Sequence, residues 1–169
     1  MSATKEYENY PLGTVVLSNT LSLALYGLGF FVINKLGLLF SLLYLLYVLI
    51  LEYRLIKSCA NCYYWGRVCG FGRGKISAWF FKKGEPAEFC IKKLTWLDLV
   101  PDMLVSLIPI VVGVVLMILR FDFLLLFSVL LILFLTTSGN GFIRGKLTCR
   151  YCKQKELGCP AYSLFNKAG

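Results

Sequence analysis

The sequence contains no histidine among its 169 residues. This absence excludes imidazole metal ligands, haem held by two histidines and the usual histidine-bearing catalytic zinc sites. It also excludes the Ser-His-Asp arrangement and removes the commonest general acid–base residue. Acidic residues are scarce as well, nine against 18 lysines and arginines. We therefore expect a protein that is not an enzyme. If it is one, we expect an oxidoreductase first and a small membrane enzyme acting on lipid after it.

Long apolar stretches dominate what is present, and 58% of the residues are hydrophobic. Four stretches cover approximately residues 12–33, 36–51, 99–119 and 121–138. Each is close to the roughly 20 residues that an α-helix needs to cross a bilayer. The links within the first and second pairs are very short, which makes consecutive helices antiparallel neighbours. The sequence predicts an all-α integral membrane protein with four transmembrane helices arranged as two antiparallel hairpins.

The polar segments complete the predicted organisation. We expect a short interfacial helix near residues 76–81 and a capping box from Thr95 to Asp98. We expect the fourth helix to end at the Gly-Asn-Gly sequence of 139–141. The predicted segments are a poorly ordered N-terminal tail (1–11), a transmembrane hairpin (12–51), a basic cysteine-rich loop (52–98), a second transmembrane hairpin (99–138) and a cysteine-rich tail (139–169).

The distribution of positive charge predicts the orientation. Nine lysines and arginines lie in 52–98 and six in 139–169, whereas the opposite turns offer only Lys35 and Arg120. Because positive charge accumulates on the cytoplasmic side, both cysteine segments and both termini should be cytoplasmic in a multi-pass protein of the cell membrane. The basic flanks favour anionic lipid headgroups and a cytoplasmic protein partner. Nothing in the sequence requires nucleic acid.

Six of the seven cysteines form two triads with one spacing, C-x2-C-x6-C, and each triad follows a predicted hairpin. Two thiolates on a tight C-x-x-C turn bind a soft metal, and a third a few residues later closes on it. An all-thiolate site selects zinc, an iron–sulfur cluster or Cu(I), and we expect zinc first and an iron–sulfur cluster as the alternative. A reducing cytoplasm disfavours structural disulfides, while reversible thiol–disulfide chemistry remains open. The candidate ligands are Cys59, Cys62, Cys69, Cys149, Cys152 and Cys159.

The two halves share the order of hairpin, basic stretch and triad, which indicates an internal repeat. The triads would then meet about a pseudo-two-fold axis along the membrane normal. Several ligand sets remain open: one four-thiolate zinc site built from both C-x-x-C pairs, two separate sites that each borrow a fourth ligand, or a four-iron cluster on four of the same cysteines. Cys90 breaks the repeat and is expected to be an ordinary buried thiol.

The paired C-x2-C-x6-C spacing resembles the binuclear zinc clusters of fungal transcription factors. The resemblance covers 22 residues, and here 79 residues and two apolar spans separate Cys69 from Cys149. It implies a coordination in which six thiolates hold two zinc ions and two of the sulfurs bridge them. It implies nothing about DNA binding.

Three aspartates are weaker candidates for a site. Asp98 and Asp102 are one helical turn apart, but acids at a helix start are favoured by the helix dipole without any active site. Asp122 is expected to form a turn pair with Arg120. The sequence therefore predicts a membrane-anchored cytoplasmic metal–thiolate module that serves as a structural or partner-recruiting platform. The alternative is a membrane redox protein that uses dithiols or an iron–sulfur centre.

Overall fold

A computed structural model describes residues 6–86, 96–157 and Cys159, so Cys90, Thr95 and residues 160–169 lie outside the described part. Within it the chain is helical and forms no strand; an isolated bridge joins Tyr7 to Cys152. Short 3-10 turns occupy Cys59–Asn61, Cys149–Tyr151 and Lys153–Lys155. The α-helices are α1 (Leu12–Asn34), α2 (Leu38–Ser58), α3 (Arg73–Phe80), α4 (Trp96–Leu119) and α5 (Phe123–Phe134).

Four helical segments are long and apolar enough to cross a membrane. They are Leu12–Asn34, Leu38–Asn61, Asp98–Leu119 and Phe123–Tyr151. The prediction of an all-helical chain with four candidate spans is therefore confirmed. The short helix predicted near residues 76–81 is also present as α3, which begins three residues earlier.

The expected end of the fourth helix at residues 139–141 is wrong. After α5 the chain winds as a π-helix through Leu135–Gly139 and again through Gly141–Thr148. Asn140 keeps right-handed helical angles, φ −64° and ψ −44°, and its N–H donates to the carbonyl oxygens of Leu135 and Thr137. A glycine ends a helix by taking positive φ, and among the described glycines only Gly37, Gly66 and Gly72 do so.

The described structure separates into two compact units. Of the described residues, one unit comprises 20–52 and 96–140, and the other comprises 6–19, 53–86, 141–157 and Cys159. The first contains most of the apolar helical length, with a buried core of Val32, Leu125 and Ile132. All six triad cysteines belong to the second unit, which we call the cysteine unit.

Two tyrosines of α2 bind backbone oxygens of α4 inside the first unit. The hydroxyl of Tyr44 donates to the carbonyl oxygen of Val105 at 2.9 Å, and that of Tyr47 donates to Pro101 at 2.7 Å. Pro109 has no N–H, so it leaves the Val105 carbonyl without its usual helical donor. Tyr44 thus satisfies the acceptor that the proline exposes.

Asp122 organises the turn before α5. Its carboxylate accepts from the backbone N–H of Leu124 at 2.9 Å and pairs with the Lys35 ammonium at 3.4 Å. The sequence suggested Arg120 as the partner of Asp122, whereas in the structure the partner is Lys35 of the turn between α1 and α2. Helix capping and this lysine both favour the carboxylate, which lowers the pKa of Asp122 below its ordinary value.

Candidate metal–thiolate site

Matched turns carry the two C-x-x-C sequences. Each begins with a 3-10 turn, in which the N–H of Cys62 donates to Cys59 at 3.2 Å and that of Cys152 donates to Cys149 at 3.3 Å. Cys62 has φ −92° and ψ 151°, and Cys152 has φ −83° and ψ 122°. The shared sequence spacing therefore gives a shared backbone conformation.

The residue two positions beyond each turn directs its backbone N–H at the preceding sulfur. The N–H of Tyr64 bonds to the Cys62 thiol, and that of Gln154 bonds to the Cys152 thiol. Each of these bonds by itself lowers the pKa of the thiol because it stabilises the thiolate. Donors of this kind also surround the sulfurs of metal–thiolate centres and tune them.

The side chains of Tyr64 and Gln154 each accept a hydrogen bond from the backbone of the other turn. The Gln154 side-chain oxygen accepts the N–H of Tyr63 at 2.7 Å, and the Tyr64 hydroxyl accepts the N–H of Lys153 at 3.1 Å. The Gln154 oxygen also accepts from the Cys62 thiol at 3.7 Å. Tyr64 and Gln154 are each 1% exposed, so these contacts replace water almost completely. Each C-x-x-C turn is thus held by a buried side chain of the other.

Residues 6–10, which we call the N-terminal strap, tie the two cysteine segments together. The N–H of Tyr7 donates to Tyr151 at 3.1 Å, and its carbonyl accepts from the Tyr64 hydroxyl at 2.6 Å. Tyr10 donates its N–H to Val68 at 2.9 Å and its hydroxyl to Thr148 at 2.6 Å. The expectation of a poorly ordered tail is therefore wrong for these residues, because Tyr10 is buried and the backbone is paired.

Ion pairs reinforce the strap at its acidic positions. Glu6 pairs with Lys155 at 2.9 Å, and Glu8 pairs with Lys153 at 3.0 Å. The lysine hydrogen bonds lower the pKa of both carboxyl groups. The strap therefore binds the second cysteine segment through charge as well as through its tyrosines.

The triad cysteines are half-buried and free of disulfides. The pKa of Cys62 is raised to about 12, mainly by burial and in smaller part by the charges of Cys59, Cys152 and Cys69. Burial also raises the pKa of Cys152, with contributions from Cys159 and Cys69. Because Cys152 raises the pKa of Cys62 and Cys69 raises the pKa of Cys152, the structure brings the two triads into electrostatic range of each other.

The burial of these thiols and their closeness to one another determine the chemistry open to them. A reactive cysteine needs a lowered pKa, so a thiol such as Cys62 is a poor nucleophile. A metal cation bound to the sulfurs would lower the pKa of these thiols, because it stabilises several thiolates at once. Within the described residues, no three cysteines or carboxylates already stand in an arrangement that holds a metal ion. The sulfur donor set fits a soft metal, while the side-chain geometry of a loaded site is not formed.

Glycines allow the close approach of the cysteine segments. A Cβ on Gly70 would overlap the side chain of Thr148, and a Cβ on Gly74 would overlap the carbonyl oxygen of Tyr64 and stand 2.8 Å from that of Arg67. Gly74 also accepts the N–H of Gly66 at 3.0 Å. The glycine-rich stretch therefore serves packing within this unit.

Aromatic rings hold several of the surrounding cations. The guanidinium groups of Arg73 and Arg144 lie 5.2 Å and 5.3 Å from the Phe71 ring, and that of Arg67 lies 5.0 Å from Tyr63. Cation–π contacts of this length are attractive and hold the guanidinium groups against the rings. The basic residues that flank the triads in sequence are thus anchored around the cysteine unit.

The short helix α3 exposes its large aromatic side chains and buries small residues. Trp79 and Phe80 are 74% and 72% exposed, whereas Gly74 and Ser77 are buried. Large exposed aromatics next to Lys82 and Lys83 are typical of a helix that lies in a membrane interface. This arrangement agrees with the sequence expectation for residues 76–81.

The sequence did not single out Tyr64, Gln154, Tyr7 or Tyr10. One signal was available, since Tyr64 and Gln154 occupy equivalent positions, two residues beyond the second cysteine of each triad. Asp98 lies in the first turn of α4, the place where an acid favours a helix start.

Comparison with known proteins adds no family: no protein-family model matches the chain, and no match is found among curated proteins or solved structures.

Proposed function

We propose that the cysteine unit binds a soft metal ion through its thiolates and thereby forms a structural or partner-recruiting platform anchored in a membrane. Zinc is the metal we expect, and an iron–sulfur cluster is the alternative. The ligands are drawn from Cys59, Cys62, Cys69, Cys149, Cys152 and Cys159.

The observation that carries this proposal is the meeting of two distant triads in one unit. Cys62 and Cys152 are 90 positions apart, yet the Cys62 thiol donates to the Gln154 side-chain oxygen at 3.7 Å, and the N–H of Tyr63 donates to the same oxygen at 2.7 Å. A lone triad supplies three thiolates, whereas a closed structural zinc site needs four ligands. Sharing across the triads supplies the missing ligand. The N–H groups directed at Cys62 and Cys152 further favour their thiolate forms.

A structural role agrees better with the surroundings of the thiols than a catalytic one. The raised pKa of Cys62 disfavours thiol–disulfide exchange at neutral pH. Metal binding would instead stabilise segments whose core is small, because the binding energy of such sites appears as folding energy. Here those segments are the loop after α2 and the tail after residue 148.

The remaining parts of the proposal concern location. We infer a multi-pass protein of the cell membrane, with the cysteine unit and both termini on the cytoplasmic side, because 15 of the 18 basic residues lie in the two cysteine-bearing segments. Anionic headgroups would be the lipid partners of this basic surface, and Trp79 and Phe80 would lie among them. A cytoplasmic protein is the partner we expect on the part of the cysteine unit that does not contact lipid.

Serine substitutions test the proposed function. Cys62→Ser and Cys152→Ser should each lower the metal content and the thermal stability of the purified protein, while the helical circular dichroism of the spans is retained. Cys90→Ser is the matched control and should change both quantities much less. A protein that keeps its stability after losing Cys62 or Cys152, but loses reversible oxidation or a visible chromophore, would support the redox alternative instead.

A further inference from the structure

The two C-x-x-C turns exchange equivalent contacts. The N–H one residue beyond Cys62 donates to a side chain two residues beyond Cys152, and the reverse bond links Lys153 to Tyr64. The paired distances are 2.7 Å and 3.1 Å. Two bonds that map onto each other when the turns are interchanged describe a local two-fold relation.

We propose that the two turns form one shared metal–thiolate centre, with Cys62 and Cys152 as equivalent ligands and with Tyr64 and Gln154 as the residues that position them. This inference rests on the proposed function and adds which pair of ligands is equivalent and which residues position them. Two independent sites would need no exchange of buried side chains between the turns. The exchange instead fixes the distance between the turns, which is what a common ion requires of its ligands.

Chemical detail supports the positioning role. Tyr64 acts through three groups: its N–H on Cys62, its hydroxyl as acceptor from Lys153, and the same hydroxyl as donor to the Tyr7 carbonyl. Gln154 acts through its N–H on Cys152 and its side-chain oxygen on Tyr63. Each residue thus links the sulfur of its own turn to the backbone of the other. Such outer contacts orient metal ligands, and their loss typically reduces affinity by about 10- to 100-fold.

The first test measures how many zinc ions each chain binds. The protein is stripped with a chelator, reloaded with Zn²⁺ alone and analysed for zinc per chain. In a shared centre, Cys62→Ser and Cys152→Ser lose the same ion or ions, so both variants fall together and far below half of the wild-type content. Two independent sites would leave each variant with about half, and that result would overturn the sharing. Zinc-free wild-type protein would overturn the proposed function together with this inference.

The second test examines the positioning residues with Co²⁺ as a spectroscopic probe. Tyr64→Phe and Gln154→Leu should weaken Co²⁺ binding by about 10- to 100-fold. Both should also shift the thiolate-to-cobalt absorption, whereas Gln154→Glu, which keeps an acceptor oxygen, should restore part of the signal. Tyr53→Phe is the control, because it removes the hydroxyl of a tyrosine that is 58% exposed. Variants that retain wild-type helix content are compared. Spectra and affinities of Tyr64→Phe and Gln154→Leu that equal those of Tyr53→Phe would overturn the positioning role.

Discussion

Gly74→Ala should destabilise the packing of the cysteine unit. The added Cβ would overlap the carbonyl oxygen of Tyr64 and stand 2.8 Å from that of Arg67, and neither backbone atom can rotate away as a flexible side chain can. Overpacking of this kind costs about 1–3 kcal/mol, and we take the upper part of that range because the obstacle is backbone. The better helix propensity of alanine returns about 0.5–1 kcal/mol. The net loss should be about 1–2 kcal/mol.

The rate of cysteine alkylation measures this loss locally. A destabilisation of 1–2 kcal/mol raises the open population about 5- to 30-fold, and a small maleimide should label Cys62 faster by that factor under native conditions. Gly145→Ala is the matched control, because a Cβ there would meet nothing within 4 Å. Equal labelling rates of Cys62 in the two variants, measured by mass spectrometry, would refute the packing argument.

Three further predictions concern the spans and their orientation. Tyr44→Phe should destabilise the protein by about 1 kcal/mol because the Val105 carbonyl loses its donor, and Pro109→Ala should reduce that cost in a double-mutant cycle by supplying a helical N–H. Asp122→Ala should lower the melting temperature relative to Asp122→Asn. Because the folded pKa of Asp122 is lowered, the stability that the wild-type protein gains from this charge should be full above about pH 5 and should be lost as the pH falls through that pKa. The deficit of Asp122→Asn relative to wild type should shrink over that range, whereas the difference between Asp122→Ala and Asp122→Asn should not depend on pH. In intact cells an impermeant thiol reagent added from outside should label neither triad, and labelling would refute the cytoplasmic orientation.

Composition was sufficient to predict the helices. Four apolar runs near bilayer length leave few alternatives to four candidate spans. The helix around Trp79 followed from apolar and aromatic residues beside two lysines. The π-helical continuation beyond Leu135 was not predictable from glycine preference. Gly139 and Gly141 permit a helix end without requiring one, and neither adopts positive φ.

Of the candidate site, the cysteines and their turns could be predicted from the sequence, whereas the residues that link the turns could not. The repeated spacing identified the cysteines and their turns, because a C-x-x-C turn is a local structure. Gln154 and Tyr64 act across about 90 positions of sequence, and periodicity or composition carries no information about such pairs. The N-terminal strap was misjudged for the same reason: its order comes from Tyr7 and Tyr10 contacting distant backbone.

Metal and thiol counts on the native protein test the central claim most directly. The full chain is purified in detergent without added metal, dialysed and analysed for zinc and iron, and its thiols are titrated before and after denaturation with chelator. The account predicts at least one bound ion per chain and reaction of most triad thiols only after denaturation. Metal-free protein whose seven cysteines all react in the native state would contradict it.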